Sequence, residues 1–154
     1  MARWRGQCRR RNSSHRRFLE ADAFTQDYMT WLGHHEFGAT HRPFLFGARP
    51  AGDPMAMDYW LRLWLSVYGA LEAVEEACPN VSFVPYEALS ADPTVWTAVA
   101  ARIGVPVAAA GELRPAPDKT PGAHDDELGQ AAAALHARLS TKGFAALGLV
   151  KGKS

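Results

Sequence analysis

Hydrophobic side chains recur at helical spacing in four segments of this chain. The strongest pattern covers residues 55–78, where aromatic and aliphatic side chains recur every three or four positions and the acidic side chains fall largely on the opposite side. Asp53 followed by Pro54 is a suitable helix start, and Pro79 with Asn80 is a suitable end. The pattern predicts an amphipathic helix with one buried face.

The same pattern predicts three more helices and one strand. The helices are expected at residues 18–38, 92–104 and 125–139. Residues 81–84 (Val-Ser-Phe-Val) are short, β-branched and bounded by prolines, which predicts a buried parallel strand. A helix, a strand and a helix in succession indicate a fragment of an α/β layer. Because a single strand needs others to pair with, this pattern also indicates that the chain is part of a larger fold.

The composition is ordinary, but charge is distributed unevenly along the chain. The 154 residues are 47% hydrophobic and 21% charged, which is ordinary for one globular domain. The first 17 residues hold seven arginines and no acid, whereas the remainder holds ten basic residues against 16 acidic ones. A basic head on an acidic body indicates either an anion-binding strip or a disordered or misplaced start.

Cysteine spacing and hydropathy exclude several classes of protein. Cys8 and Cys78 fit neither a metal site nor a disulfide framework. No run of about 18 consecutive apolar residues is present, so a membrane span is not expected. We therefore expect a cytoplasmic protein without a bound metal.

A string of short motifs surrounds the predicted strand. Tyr86-Glu87-Ala88-Leu89 follows it, Asp92-Pro93 opens a helix, and Gly104-Val105-Pro106 closes that helix. In this order the string resembles the sulfotransferase family of bacterial type, in which a strand runs into a Tyr-Glu-(Asp)-Leu turn, an Asp-Pro helix start and a Leu-Gly-(Leu)-Pro end. The closing Leu147-Gly148-Leu149 is similar to the family as well. The resemblance covers residues 15–150 and only the C-terminal part of such an enzyme.

The resemblance implies a fold, a donor and one binding residue. The fold would be α/β, a partial P-loop-type three-layer α/β/α arrangement that is mostly helical with few parallel strands. The donor would be 3′-phosphoadenosine 5′-phosphosulfate (PAPS), from which a sulfuryl group passes to a small-molecule acceptor. Tyr86 would lie beside the adenine ring, whereas Glu87 would be structural. From the residues alone, Tyr86 is also explained as a half-buried aromatic at a strand end.

The phosphate-binding loop of the family has no counterpart in this sequence. The 5′ phosphosulfate needs backbone N–H groups from a glycine-rich loop between a strand and a helix. Arg5 and Ser13 have the spacing of the family's Arg and Ser that hold the 3′ phosphate, although no strand precedes Arg5 and no proline follows it. We therefore expect a truncated chain that is inactive alone, with residues 1–17 as a disordered basic head and residues 18–150 as the sulfotransferase-like region.

No catalytic base can be assigned from the sequence. The acid–base groups near the first predicted helix are His34, His35, Glu36 and His41. Ala39 stands where a zinc protease motif His-Glu-x-x-His needs its second histidine, which disfavours that class. We interpret these groups as loop-end or core-edge residues, with a substrate-side role as the alternative.

Two other functions stay open as hypotheses. The arginine-rich head could contact nucleic-acid phosphates, although Trp4 is the only aromatic residue within it, so nucleic acid is an unlikely partner. The aromatic helix could instead make the chain a protein-interaction module, with Trp60, Trp64 and Tyr68 as a contact surface.

Overall fold

The computed structural model describes residues 21–33, 35–36, 38–107 and 122–149. Within these ranges the chain forms five α-helices joined by irregular segments. In chain order they are α1 (Ala23–Trp31), α2 (Met57–Ala77), α3 (Tyr86–Ala91), α4 (Pro93–Ile103) and α5 (Asp126–Ala146). None of these helices is long and apolar enough to span a membrane.

The residues predicted to begin and end a helix do so at α4. The Asp92 side chain accepts a hydrogen bond from the Thr94 N–H at 2.9 Å, and Pro93 occupies the first turn, where a backbone donor would have no partner. Gly104 ends the helix with a φ of 71°, a left-handed conformation that glycine adopts without strain. Local chemistry thus sets both ends of this helix.

Asp53 acts ahead of α2 rather than as its cap. Its carboxylate accepts a hydrogen bond from the Met55 N–H at 2.8 Å, and its carbonyl accepts one from the Ala56 N–H at 2.9 Å. The helix then begins at Met57, without a capping side chain. Asp53 therefore shapes the turn that leads into α2.

The outer helices differ in length from the sequence prediction. The first helix is confined to Ala23–Trp31, where Asp22 caps it through the Thr25 N–H at 2.9 Å. The last helix continues beyond the predicted end at residue 139 to Ala146. It continues because its buried face extends through Gly143.

α2 and α5 pack against each other and form the main core. Its buried members are Leu61, Trp64, Ala132, Leu135 and Leu139. A second buried cluster, made by α2 alone, consists of Tyr59, Trp60 and Leu63. Burying one leucine-sized side chain is worth about 1.5–3 kcal/mol, so these contacts dominate the stability of the helix pair.

Ion pairs join the same two helices at the surface. Arg138 donates to both carboxylate oxygens of Glu72 at 3.1 Å, and Lys142 donates to Glu76 at 2.6 Å. The first hydrogen bond lowers the pKa of Glu72, with Lys142 adding to the effect. Since Arg138 and Glu76 are exposed and Lys142 is only half-buried, these ion pairs orient the helices more than they stabilise them.

No strand forms among the described residues, so the expected α/β fold is wrong. Residues 81–85 run without helical or ladder structure, and the backbone of Phe83 lies against Gly143 of α5. A β-branched run favours extended backbone, but a strand also needs a second segment to pair with. The described part of the chain is all-α, which contradicts a three-layer α/β/α P-loop arrangement with parallel strands.

Candidate functional site

Tyr86 is the first residue of α3, directly after the N-cap Pro85. Because the preceding segment is not a strand, Tyr86 does not lie at a strand terminus, and that expectation is wrong. The residue is half-buried. Arg5 and Ser13, the other two predicted donor-binding residues, lie outside the described residues.

A small pocket opens between α2, residues 83–85 and α5. Its volume is about 40 Å³, which is room for a water molecule or a small functional group. Trp64 and Tyr68 form one wall, with ring centroids 4.6 Å apart in a stacked arrangement. α5 contributes His136, Leu139 and Ser140 to the lining. The pocket is thus mainly aromatic, with a few polar groups.

His136 connects this pocket to the carboxylate of Glu87. The distance from Glu87 Oε2 to His136 Nε2 is 3.9 Å, which is too long for a hydrogen bond. Both carboxylate oxygens of Glu87 are buried, and neither accepts a hydrogen bond within the described ranges. A purely structural role for Glu87 therefore leaves two buried acceptors unsatisfied, which is unfavourable.

The imidazole of His136 carries little positive charge beside the carboxylate of Glu87. Burial lowers the pKa of His136, and the nearby carboxylate of Glu87 opposes this shift only in part. The neutral imidazole is therefore the main form near pH 7. Sequence reasoning missed His136, because its only signal is its place on the buried face of α5, four residues after Ala132 and three before Leu139.

Arg102 lies near the start of the extended segment that leads to Tyr86. Its Nη1 donates to the Ala146 carbonyl at 3.2 Å, and its Nη2 is 3.5 Å from Ser82 Oγ. Both partners are uncharged, and no ion pair with a carboxylate joins it in the part of the chain that the structure covers. The guanidinium also complements the negative end of the α5 dipole.

His41, one of the acid–base groups near α1, has structural surroundings. His41 is buried at 3% exposure, and its Nδ1 is 2.9 Å from the Tyr59 hydroxyl. Its ring also packs on Trp60, with centroids 4.4 Å apart. Burial raises the pKa of Tyr59. His41 therefore has the environment of a core-edge residue, while His34 lies outside the described residues.

The described residues define a small helical protein with an aromatic pocket, a buried carboxylate and no group of three or more metal-ligating side chains. Comparison with protein-family models, with curated proteins and with solved structures gives no match. The resemblance to sulfotransferases accordingly depends on the sequence motifs alone, and it stays a prediction.

Proposed function

We propose that this chain takes part in sulfuryl transfer from PAPS and that Tyr86 contacts the adenosine of the donor. The observation that carries the proposal is the motif string Tyr86-Glu87-Ala88-Leu89, Asp92-Pro93 and Gly104-Val105-Pro106. These residues fold as one local unit, in which α3 and α4 follow residues 81–85 with the caps that the motif predicts. The helix start at Asp92-Pro93 and the helix end at Gly104 agree with the motif string, whereas Tyr86–Ala91 form a short helix in place of the turn that the motif implies.

Arg102 supports an anionic ligand close to this unit. Its guanidinium contacts the uncharged oxygens of Ala146 and Ser82, so its charge is not neutralised by a described carboxylate. A guanidinium presents N–H groups in a planar fork that suits phosphate oxygens. A nucleotide phosphate is therefore a reasonable partner for Arg102 when adenosine lies at Tyr86.

The transfer step itself is not assigned to any described residue. A phosphosulfate needs a cradle of backbone N–H groups between a strand and a helix, and the described ranges contain no such loop. We accordingly expect the 154-residue chain to contact the nucleotide weakly and not to transfer a sulfuryl group alone.

A nuclear magnetic resonance titration with 3′-phosphoadenosine 5′-phosphate tests this proposal. We expect saturable shifts in residues 82–90 and at Arg102, with a dissociation constant on the order of 1 mM. Tyr86→Ala should abolish these shifts, and Tyr86→Phe separates the ring contribution from that of the hydroxyl. Tyr28→Ala, on the exposed side of α1, is the matched control and should bind like the parent chain. Shifts that survive Tyr86→Ala, or no saturable shift at millimolar nucleotide, contradict the proposal.

Exposed aromatic side chains favour a second candidate function, a protein-interaction module. The contact surface expected from the sequence is wrong, because Trp60 and Trp64 are buried in the core. Phe24 and Trp31 of α1 are each 77% exposed, and Tyr28 stacks between them. Contiguous apolar surface of this kind marks contacts between proteins. The arginine-rich head, on which a nucleic-acid-binding function depends, lies outside the described residues.

Analytical ultracentrifugation tests the interaction module. A concentration-dependent dimer that Phe24→Ser with Trp31→Ser converts to a monomer supports it, whereas a monomer at every concentration counts against it. Val74→Ser, an exposed apolar position on α2, serves as the control and should leave association unchanged.

A further inference from the structure

We propose that residues 42–49 form a loop that docks this protein on an anionic lipid surface. The loop has the sequence Arg-Pro-Phe-Leu-Phe-Gly-Ala-Arg, so three consecutive apolar side chains lie between two arginines. Phe44 is 83% exposed, Leu45 is 48% exposed and Phe46 is 53% exposed. Because such a run is unfavourable in water, it marks a surface that contacts a partner or a membrane.

The two ends of the 42–49 loop are held by the rest of the protein. Ahead of the loop, the buried ring of His41 packs on Trp60, with ring centroids 4.4 Å apart. After the loop, the Ala51 carbonyl accepts a hydrogen bond from Arg62 Nη1 at 3.3 Å. Apart from its chain neighbours, no described residue lies within 4 Å of a Cβ atom built on Gly47. The base of the loop is therefore anchored, while its tip stands in open space.

The charges of the loop complement an anionic surface. Arg42 and Arg49 are exposed, and neither forms an ion pair with a carboxylate within the described ranges. Positions 38–52 contain no acidic residue, and the nearest acids in the sequence are Glu36 and Asp53. An arginine side chain can lay its alkyl stem along apolar surface while its guanidinium stays at the level of lipid phosphates, which it binds through charge-assisted hydrogen bonds. Acyl chains and anionic headgroups together therefore match both features of the loop.

A lipid surface suits this loop better than a protein groove or a nucleic acid. Side chains of consecutive residues project in different directions, so three exposed neighbours spread apolar surface around the backbone instead of along one face. A peptide-binding groove covers one face of a segment, with pockets for alternate side chains. Fluid acyl chains accept an apolar tip without a matching shape. Leu45, between the two rings, also gives a nucleic-acid base nothing on which to stack.

Cosedimentation of the full chain with lipid vesicles tests the proposal. One set of vesicles contains phosphatidylcholine and phosphatidylserine in equal amounts, and the other contains phosphatidylcholine alone. We expect binding to the mixed vesicles that weakens as salt is added, because salt screens the arginines from the headgroups. Phe44→Ser with Phe46→Ser should weaken this binding by about tenfold or more, since two inserted rings are lost while every charge is kept. Phe24→Ser with Trp31→Ser, which removes two exposed rings from α1, is the matched control and should bind like the parent chain.

A second pair of variants separates the loop from the arginine-rich head, which also carries positive charge. Arg42→Gln with Arg49→Gln should weaken binding to the mixed vesicles by about tenfold, because two guanidinium groups leave the headgroup level. Arg9→Gln with Arg10→Gln removes the same charge from the head and should have a smaller effect, since no apolar side chains lie between these two arginines to insert beside them.

The outcomes separate the possible occupants of the loop. Binding to the mixed vesicles that both loop variants lose and the α1 variant keeps supports the proposal. It is overturned by absent binding, by equal binding to phosphatidylcholine alone, by retained binding in either loop variant, or by an equal loss in the α1 variant. A lipid-free dimer that Phe44→Ser with Phe46→Ser converts to a monomer assigns the loop to a second copy and also overturns it. Circular dichroism checks that each variant folds. Because no nucleotide is present, failure here is distinct from failure of the sulfuryl-transfer proposal.

Discussion

The carbonyl oxygen of Phe83 lies directly against Gly143 of α5, where a Cβ atom would overlap it. This contact gives a physical reason for a glycine inside a long helix, where it is otherwise about 1 kcal/mol less favourable than alanine. It also fixes the segment that leads to Tyr86 against the α2–α5 core. The position of the candidate site therefore depends on this close approach of two backbones.

Gly143→Ala should destabilise the protein by about 1–3 kcal/mol, because the added methyl group forces Phe83 away from α5. Urea unfolding followed by circular dichroism measures the change. Gly69→Ala in α2 is the matched control, since nothing lies within 4 Å of its added Cβ. The free energy of unfolding of that variant should increase by about 1 kcal/mol, because alanine has a higher helix propensity than glycine. A similar gain in both variants would show that the Phe83 contact is not close.

Leu61→Ala should be among the most destabilising substitutions in the chain. Leu61 is only 1% exposed and packs in the main α2–α5 cluster, so truncation removes buried surface and leaves a cavity. The expected loss is about 2–5 kcal/mol in the free energy of unfolding. Leu45→Ala, at a position that is 48% exposed, should change it by less than about 0.5 kcal/mol. Comparable losses at the two positions would contradict the placement of the core.

Stability should fall in mild acid because of His136. Burial holds its pKa below the ordinary value, so the unfolded chain binds this proton more readily than the folded chain. The free energy of unfolding should therefore decrease as the pH drops through about 6.5 towards the lower pKa of the folded state. His136→Gln should remove this part of the pH dependence, whereas His124→Gln, near the start of α5, should retain it. Urea titrations at several pH values measure the slope, and an unchanged slope in His136→Gln would refute the assignment.

Asp92 should stabilise α4 only while it is ionised. Hydrogen bonds from Thr94 lower the pKa of Asp92, so its contribution is present above the unfolded pKa and is lost as the pH falls through the lower, folded value. Asp92→Ala should lower the melting temperature at neutral pH, because the cap is removed. Asp92→Asn keeps an acceptor and should be less destabilising than alanine. The control is Asp27→Asn, an exposed position within α1, which should melt at the same temperature as the parent chain. If Asp92→Ala also melts at that temperature, the capping role of Asp92 is contradicted.

The sequence located parts of the candidate site without giving its geometry. Tyr86 stood out through its motif, and the structure places it at the start of α3 instead of at the end of a strand. Glu87 had a structural interpretation, and His136 had no motif at all. These two residues belong to helices far apart in the chain, so only packing brings the carboxylate and the imidazole together.

The sequence alone determined the start and end of α4 and the amphipathic face of α2. Helical hydrogen bonds and caps join residues only a few positions apart, so Asp92, Pro93 and Gly104 are sufficient to set the limits of α4. Tertiary structure alone decided whether residues 81–85 form a strand. An extended segment finds its partners elsewhere in the chain, and here the backbone of Phe83 lies against the bare backbone of Gly143 rather than pairing with another strand.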